Sequence, residues 1–182
     1  SLSIRYLLPM YPFLCILISQ IANPEIFRPH NTGFKIDSGR KRFFLLWRLL
    51  FVAMCLWYLV GTVSIYPHYL AYFNEFVGGP KNGYKYLVDS NLDWGQDLKL
   101  LQRYIDKNKI DKIQLAYFGT ADPDYYGMKY QALEPFQVSS GWIAVSATYL
   151  QGVHTAKDGY SWLKKYEPVE KLGYSIFVYH IY

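Results

Sequence analysis

Residues 43–65 read FFLLWRLLFVAMCLWYLVGTVSI, an apolar run of 23 residues broken only by Arg48. The alternatives are a buried core helix and a membrane span, and the choice sets the architecture of the rest of the chain. As an α-helix the run is about 34 Å long, enough to cross a hydrocarbon layer of about 30 Å. Trp47, Trp57 and Tyr58 lie toward its ends, and Arg40, Lys41 and Arg42 precede it. Aromatic and basic margins of this kind border membrane spans. Arg48 sits near the basic end, where its flexible stem lets the guanidinium reach the headgroups. The run is expected to span a membrane.

Upstream, residues 4–22 (IRYLLPMYPFLCILISQIA) form a second candidate span, with Pro9 and Pro12 as kinks. Prolines inside a bilayer are tolerated where neighbouring helices or water satisfy the freed carbonyls, so this helix is expected to belong to a bundle. The chain starts with Ser and enters apolar sequence without the layout of a signal peptide, so further helices are expected before residue 1.

The net charge is +5, and its placement matters more than its size. From Tyr66 onward 12 Lys/Arg balance 12 Asp/Glu. The excess comes from Arg5, Arg48 and the basic residues Arg28, Lys35, Arg40, Lys41 and Arg42. These flank apolar runs and form no patch for a polyanion, so nucleic acid is not an expected partner. Excess Lys/Arg marks cytoplasmic loops. Segment 23–42 is therefore expected in the cytoplasm and residues 66–182 outside it, in the periplasm where an outer membrane exists. Cys15 and Cys55 both lie in apolar runs and 66–182 has no cysteine, so that region is expected to hold together by packing alone.

The C-terminal region reads as a small α/β domain. An aromatic stretch, YPHYLAYFNEFVGG (66–79), ends in Gly78-Gly79-Pro80, a helix stop. Leu98, Leu101 and Ile105 at helical spacing predict a helix over about 94–108. KIQLAYFG (112–119), GWIAVSATYL (141–150) and YSIFVYHI (174–181) predict three strands, and GYSWLKKY (159–166) a short helix. Strands separated by helices favour parallel pairing. The expected fold is thus two transmembrane α-helices (1–65), the end of a polytopic bundle, followed by an extracytoplasmic α/β domain (66–182) of about three parallel strands.

Within that domain DSNLDWGQDL (89–98) raises a separate question, because Asp89, Asp93 and Asp97 lie four apart. A calcium loop of the EF type needs oxygens at positions 1, 3 and 5, glycine at 6 and glutamate at 12. Asp89, Asn91 and Asp93 fit, but Trp94 occupies position 6 and Leu100 position 12. Asp93 as an N-cap with Gln96 three residues on fits a capping box better. Capping leaves Asp89 and Trp94 unexplained. If the strands are parallel, this segment, GTADPDYYG (119–127) and TYLQGVH (148–154) gather at one sheet edge, where ligands of open α/β sheets bind. Asp89, Asn91, Asp93, Trp94, Asp122, Asp124, Tyr125 and Tyr126 are candidate contacts to a glycan or to a helical bundle. Carboxylates and amides hydrogen-bond hydroxyls, and aromatic faces stack on sugars. No GxSxG, HExxH, Walker, GxGxxG or CxxC motif is present, and no histidine has metal-ligand spacing. Arg5 and Tyr6 open the first apolar run, and a guanidinium at that depth suits a lipid phosphate.

RYLLPMYPFL (5–14), HYLAYFNEFVGGPKNGYKYLVDSNLDWGQDL (68–98), AYFGTADPDYYGM (116–128) and GYSIFVYHI (173–181) resemble the C-terminal end of bacterial family 39 membrane glycosyltransferases, related to protein O-mannosyltransferases and to the aminoarabinose transferases of lipid A. The 68–98 block is the specific one. The resemblance implies an inner-membrane enzyme of the C-type glycosyltransferase fold. Such enzymes move a sugar from a polyprenyl-phosphate carrier to a saccharide, lipid or protein acceptor outside the cytoplasmic membrane. It further implies that the catalytic acidic residues lie in an outer loop before residue 1, that this piece alone is inactive, and that Arg5 helps hold the carrier phosphate. It implies no cofactor in this piece, and a divalent metal remains open for the full-length enzyme. The competing expectation is non-enzymatic: a membrane-anchored module that binds or scaffolds envelope glycan.

Overall fold

The computed structural model describes residues 11–22 and 38–182. The chain divides into two units, Ser1–Ser64 and Ile65–Tyr182. In the first unit α1 (Tyr11–Ala22) has 12 residues and α2 (Ser38–Ser64) has 27. Twelve residues rise only about 18 Å, short of the roughly 30 Å a span requires. Among the described residues one helix is long and apolar enough to cross a membrane, over Leu45–Ser64. The expectation of two transmembrane helices is corrected accordingly. Residues 4–10 of the proposed first span, together with Arg5 and Tyr6, lie outside the described residues, as does most of the loop 23–42.

α2 keeps its large apolar side chains exposed all round, from Phe43 and Leu46 to Tyr58 and Val63. A helix apolar on every side is one that expects a non-aqueous surrounding. Two of its hydroxyls bond back to the helix: Thr62 Oγ1 donates to the Tyr58 carbonyl at 2.9 Å, and Ser64 Oγ to that of Gly61 at 2.9 Å. Such back-bonding satisfies polar groups where water is absent.

The second unit is built on a five-stranded sheet in the order β2-β1-β3-β5-β4. The strands are β1 (Ile113–Ala116), β2 (Tyr130–Ala132), β3 (Gly141–Ser146), β4 (Glu170–Leu172) and β5 (Ile176–Ile181). β1 runs parallel to β2 and β3, whereas β5 runs antiparallel to β3 and β4. The longest ladder is antiparallel, β3 against β5, with six residue pairs from Gly141↔Ile181 to Ser146↔Ile176. The expectation of about three parallel strands is therefore wrong in number and in direction. The strands predicted over 112–119, 141–150 and 174–181 exist over 113–116, 141–146 and 176–181, with Ala147–Leu150 a helical turn instead of strand, and β2 and β4 were not anticipated. β4 has only three residues and joins β5 through Gly173 and Tyr174, which have φ of 57° and 67°. Positive φ at both centres is the type I′ hairpin turn, which forces antiparallel pairing.

Both faces of the sheet are covered. Ile143, Val145, Phe177 and Tyr179 pack with Leu92, Leu150 and Leu163 on one face. Ile113, Leu115, Ala144, Ile176 and Val178 pack on the other against Leu98, Leu101 and Ile105 of α4 (Leu98–Asn108), which follows the single-turn α3 (Pro80–Gly83) in the chain. Two-sided burial explains why β3 and β5 read as continuous apolar runs. The stretch 66–79 forms two 3-10 turns, Tyr69–Ala71 and Glu75–Val77, and Gly78 closes the second with φ of 84°. The predicted helix at 159–166 is a 3-10 segment, Ser161–Lys165.

Candidate functional site

The parallel pair β1–β3 ends at Ala116 and Ser146, and the chain segments beyond those ends meet residues 89–97. Asp89–Asn91 forms a 3-10 turn, with Asp89 at φ of 59°. The Asp89 N–H donates to Thr148 Oγ1 at 3.1 Å, and that hydroxyl donates to Asp93 Oδ2 at 3.2 Å. Asp93 Oδ1 accepts from the Gly95 N–H at 3.0 Å. Asp93 is fully buried, and burial pushes its carboxyl up to about 6 against the pull of these hydrogen bonds.

The capping-box expectation fails in its particulars. α4 starts at Leu98 with Asp97 preceding it, and no side chain caps its first turn. Gln96 Oε1 accepts from the Trp94 N–H at 2.8 Å, and Gln96 Nε2 donates to the Leu92 carbonyl at 3.0 Å. Residues 93–97 thus form a self-bonded loop ahead of the helix. Glycine at 95 is required there, since φ is 76° and a Cβ would strike the Tyr117 hydroxyl. That hydroxyl donates to the Gly95 carbonyl at 2.8 Å. Burial first, and the Asp93 charge second, push the Tyr117 phenol up to about 12.

Asp97 is the second buried carboxylate. Ser175 Oγ donates to its Oδ2 at 2.7 Å, Gln96 Nε2 to the same oxygen at 3.2 Å, and His68 Nδ1 lies 3.7 Å from Oδ1. One carboxylate therefore ties the 66–71 segment, the start of α4 and the β4–β5 turn together. Burial raises its pKa, while Ser175 and His68 counteract this. Gly173 packs so closely that a Cβ there would overlap the Asp97 carboxylate.

Nearer the surface, His154 Nε2 lies 3.3 Å from Asp89 Oδ2, and its ring stacks on Phe118 at 5.4 Å between centroids. Trp94 is 55% exposed, with its indole N–H donating to the Ser90 carbonyl at 3.1 Å. Asn91 Nδ2 reaches only the Val88 carbonyl, at 3.5 Å. The structure thus places Asp89, Asp93 and Trp94 near His154 beyond the ends of the parallel pair β1–β3, whereas the sheet-edge expectation had rested on an all-parallel sheet. Asp122, Asp124 and Tyr125 form a turn of their own: Asp122 Oδ1 accepts from the Asp124 N–H at 2.9 Å, and Tyr125 is largely exposed. Tyr126 packs into the α4-side core.

The carboxylates of 89–97 diverge toward different partners, and among the described residues no group of three His, Cys, Asp or Glu could hold a metal ion. Sequence reasoning missed Thr148, Ser175, Tyr117 and the pairing of His68 with Asp97. Gly95 and Gly119, both seated against Tyr117, were the one local signal of that close packing. Comparison with known proteins gives no family model, no curated sequence and no solved structure that matches the chain.

Proposed function

We propose that the chain is the C-terminal portion of an integral-membrane glycosyltransferase of the family 39 type, a multi-pass protein of the bacterial cytoplasmic membrane with residues 66–182 outside. It would transfer a sugar from a polyprenyl-phosphate carrier to an extracytoplasmic acceptor, with catalysis in an upstream outer loop. The observation that supports this best is the position of the 68–98 block, the most specific part of the resemblance. It follows the apolar helix at Leu45–Ser64 directly in the chain and supplies the two buried carboxylates, Asp93 and Asp97, around which the domain closes. In this reading the domain guides donor or acceptor, or braces the upstream helices, and Asp89, Trp94 and His154 form its accessible face.

The test uses the full-length protein in membranes supplied with polyprenyl-phosphate sugars, with and without a divalent-metal chelator. Sugar transfer that depends on the protein supports the reading, and Arg5→Ala should weaken carrier binding while expression holds. A folded full-length protein that transfers no sugar rejects it. For the orientation, Asp122→Cys in a background lacking Cys15 and Cys55 should react with an impermeant label from outside. Labelling from the cytoplasm alone would overturn that part.

In the non-enzymatic alternative the domain is a self-contained module, with Asp93 and Asp97 bonded to residues of the domain itself. A module of this kind would bind envelope glycan in the same preparation without turning over the donor.

A further inference from the structure

On the sheet face opposite α4, several cationic groups gather without a carboxylate in ion-pair contact. Lys171 lies on β4 opposite Phe177 of β5. Its ammonium sits 5.2 Å from the Phe177 ring centre and 5.1 Å from that of Tyr84. The Lys85 ammonium lies 5.9 Å from the same Tyr84 ring, so two like charges converge on one aromatic. Lys171 also separates two hollows. One, of about 270 Å³, is lined by Lys85, Lys164, Tyr84 and Tyr179; the other, of about 490 Å³, by Lys81 and His68.

Glu167 and Glu170 border these hollows, yet among the described residues none of the four lysines has a carboxylate within ion-pair distance. Lys164 is positioned instead by Gln151, to whose Oε1 its Nζ donates at 3.0 Å. The Tyr84 and Tyr179 side chains line the smaller hollow, and no hydrogen bond to the described residues occupies their hydroxyls. Burial first, and Lys85 second, hold the Lys171 ammonium below its usual pKa, with Lys81 adding to the effect and Glu167 opposing it. Like charges held together in partial burial disfavour their own ionised forms, and a bound anion relieves this. Ammonium groups bind phosphate as point charges, and phenol hydroxyls supply further donors.

We propose that the two hollows flanking Lys171 form a phosphate-binding site, in which Lys85 and Lys171 contact phosphoryl oxygens, Lys81 and Lys164 add charge from either side, and the Tyr84 and Tyr179 hydroxyls donate hydrogen bonds. The ligand class is a phosphomonoester or diphosphate, carried either by a soluble molecule or by a lipid headgroup. The site does not depend on the glycosyltransferase reading, since a non-enzymatic module would carry the same lysines.

The test places the full chain, with ¹³C-methylated lysines, in nanodiscs and follows the lysine resonances by NMR. In discs of phosphatidylcholine, inorganic pyrophosphate is titrated; in a second arm phosphatidic acid, whose headgroup is a phosphomonoester, is added to the discs. Saturable shifts of Lys85 and Lys171 with pyrophosphate in neutral discs identify a soluble phosphate ligand. Shifts of the same lysines only with phosphatidic acid identify a headgroup. In either case the double variant Lys85→Gln, Lys171→Gln should weaken binding at least about tenfold, while Lys107→Gln, Lys129→Gln leaves it unchanged and all variants melt like the parent. Non-saturating shifts spread evenly over all lysines, or unweakened binding by the Lys85/Lys171 variant, overturn the proposal.

Discussion

Two aspartate-rich stretches, DSNLDWGQD (89–97) and ADPDYYG (121–127), look alike as sequence and behave as opposites in the fold. In the first, Asp93 and Asp97 are buried and bonded to residues more than fifty positions away, Thr148 and Ser175. In the second, Asp122 bonds a backbone N–H two residues on, and Tyr125 projects into open space. Both contain turn-forming aspartates. Only one sits where β1, β3 and the β4–β5 hairpin converge, and that placement turns a local turn residue into a tertiary bond.

The comparison breaks most readily at Asp97. Asp97→Ala removes the acceptor shared by Ser175 and Gln96 and the partner of His68, and is expected to destabilise the domain by about 3–5 kcal/mol. Thermal unfolding followed by near-UV circular dichroism measures it, and a loss no larger than that of Asp124→Ala would erase the distinction.

A pH series sharpens the contrast next. The Asp93 carboxyl is raised to about 6 in the fold from an ordinary 3.8, so the folded domain holds its proton more tightly than the unfolded chain between those values. The resulting stability is fully present below about pH 4 and is lost as pH rises through about 6, at most about 3 kcal/mol in all. Asp97, also raised by burial, acts in the same sense. Asp93→Asn keeps an acceptor for Gly95 and should remove the Asp93 part of the slope. A variant with the parent's pH profile would show that this carboxyl titrates elsewhere.

Tyr117→Phe deletes the bond to the Gly95 carbonyl while keeping the ring, so about 1 kcal/mol is expected from a denaturant midpoint. The smallest effect belongs to the other stretch. Asp122→Ala loses only the cap of a 3-10 turn, for about 0.5 kcal/mol, and Asp124→Asn should leave the melting temperature unchanged. A larger loss in either would mean that this turn is anchored as firmly as 89–97.

What was legible in the sequence follows from local physics. The apolar run at 43–65 carried its own evidence, and α2 contains a stretch long and apolar enough to cross a membrane at Leu45–Ser64. The strands at 113–116, 141–146 and 176–181 were readable because two-sided burial leaves unbroken apolar runs. β4 was not, since three residues cannot show a period. Its antiparallel direction rests on positive φ at Gly173 and Tyr174, for which tyrosine gives no warning. The capping box failed for a related reason: Gln96 bonds Trp94 and Leu92 within the loop, and α4 begins two residues later.

The sequence by itself determined an apolar helix of membrane-crossing length and a charge-balanced region after it that has no cysteine for a disulfide. These depend on composition, spacing and the covalent order of segments. Only the tertiary structure decided that the sheet is mixed, that Asp93 and Asp97 are structural carboxylates, and that Lys81, Lys85, Lys164 and Lys171 surround common hollows. Burial, charge convergence and strand direction depend on which distant segments come together, and no local pattern encodes a partner fifty or more residues away.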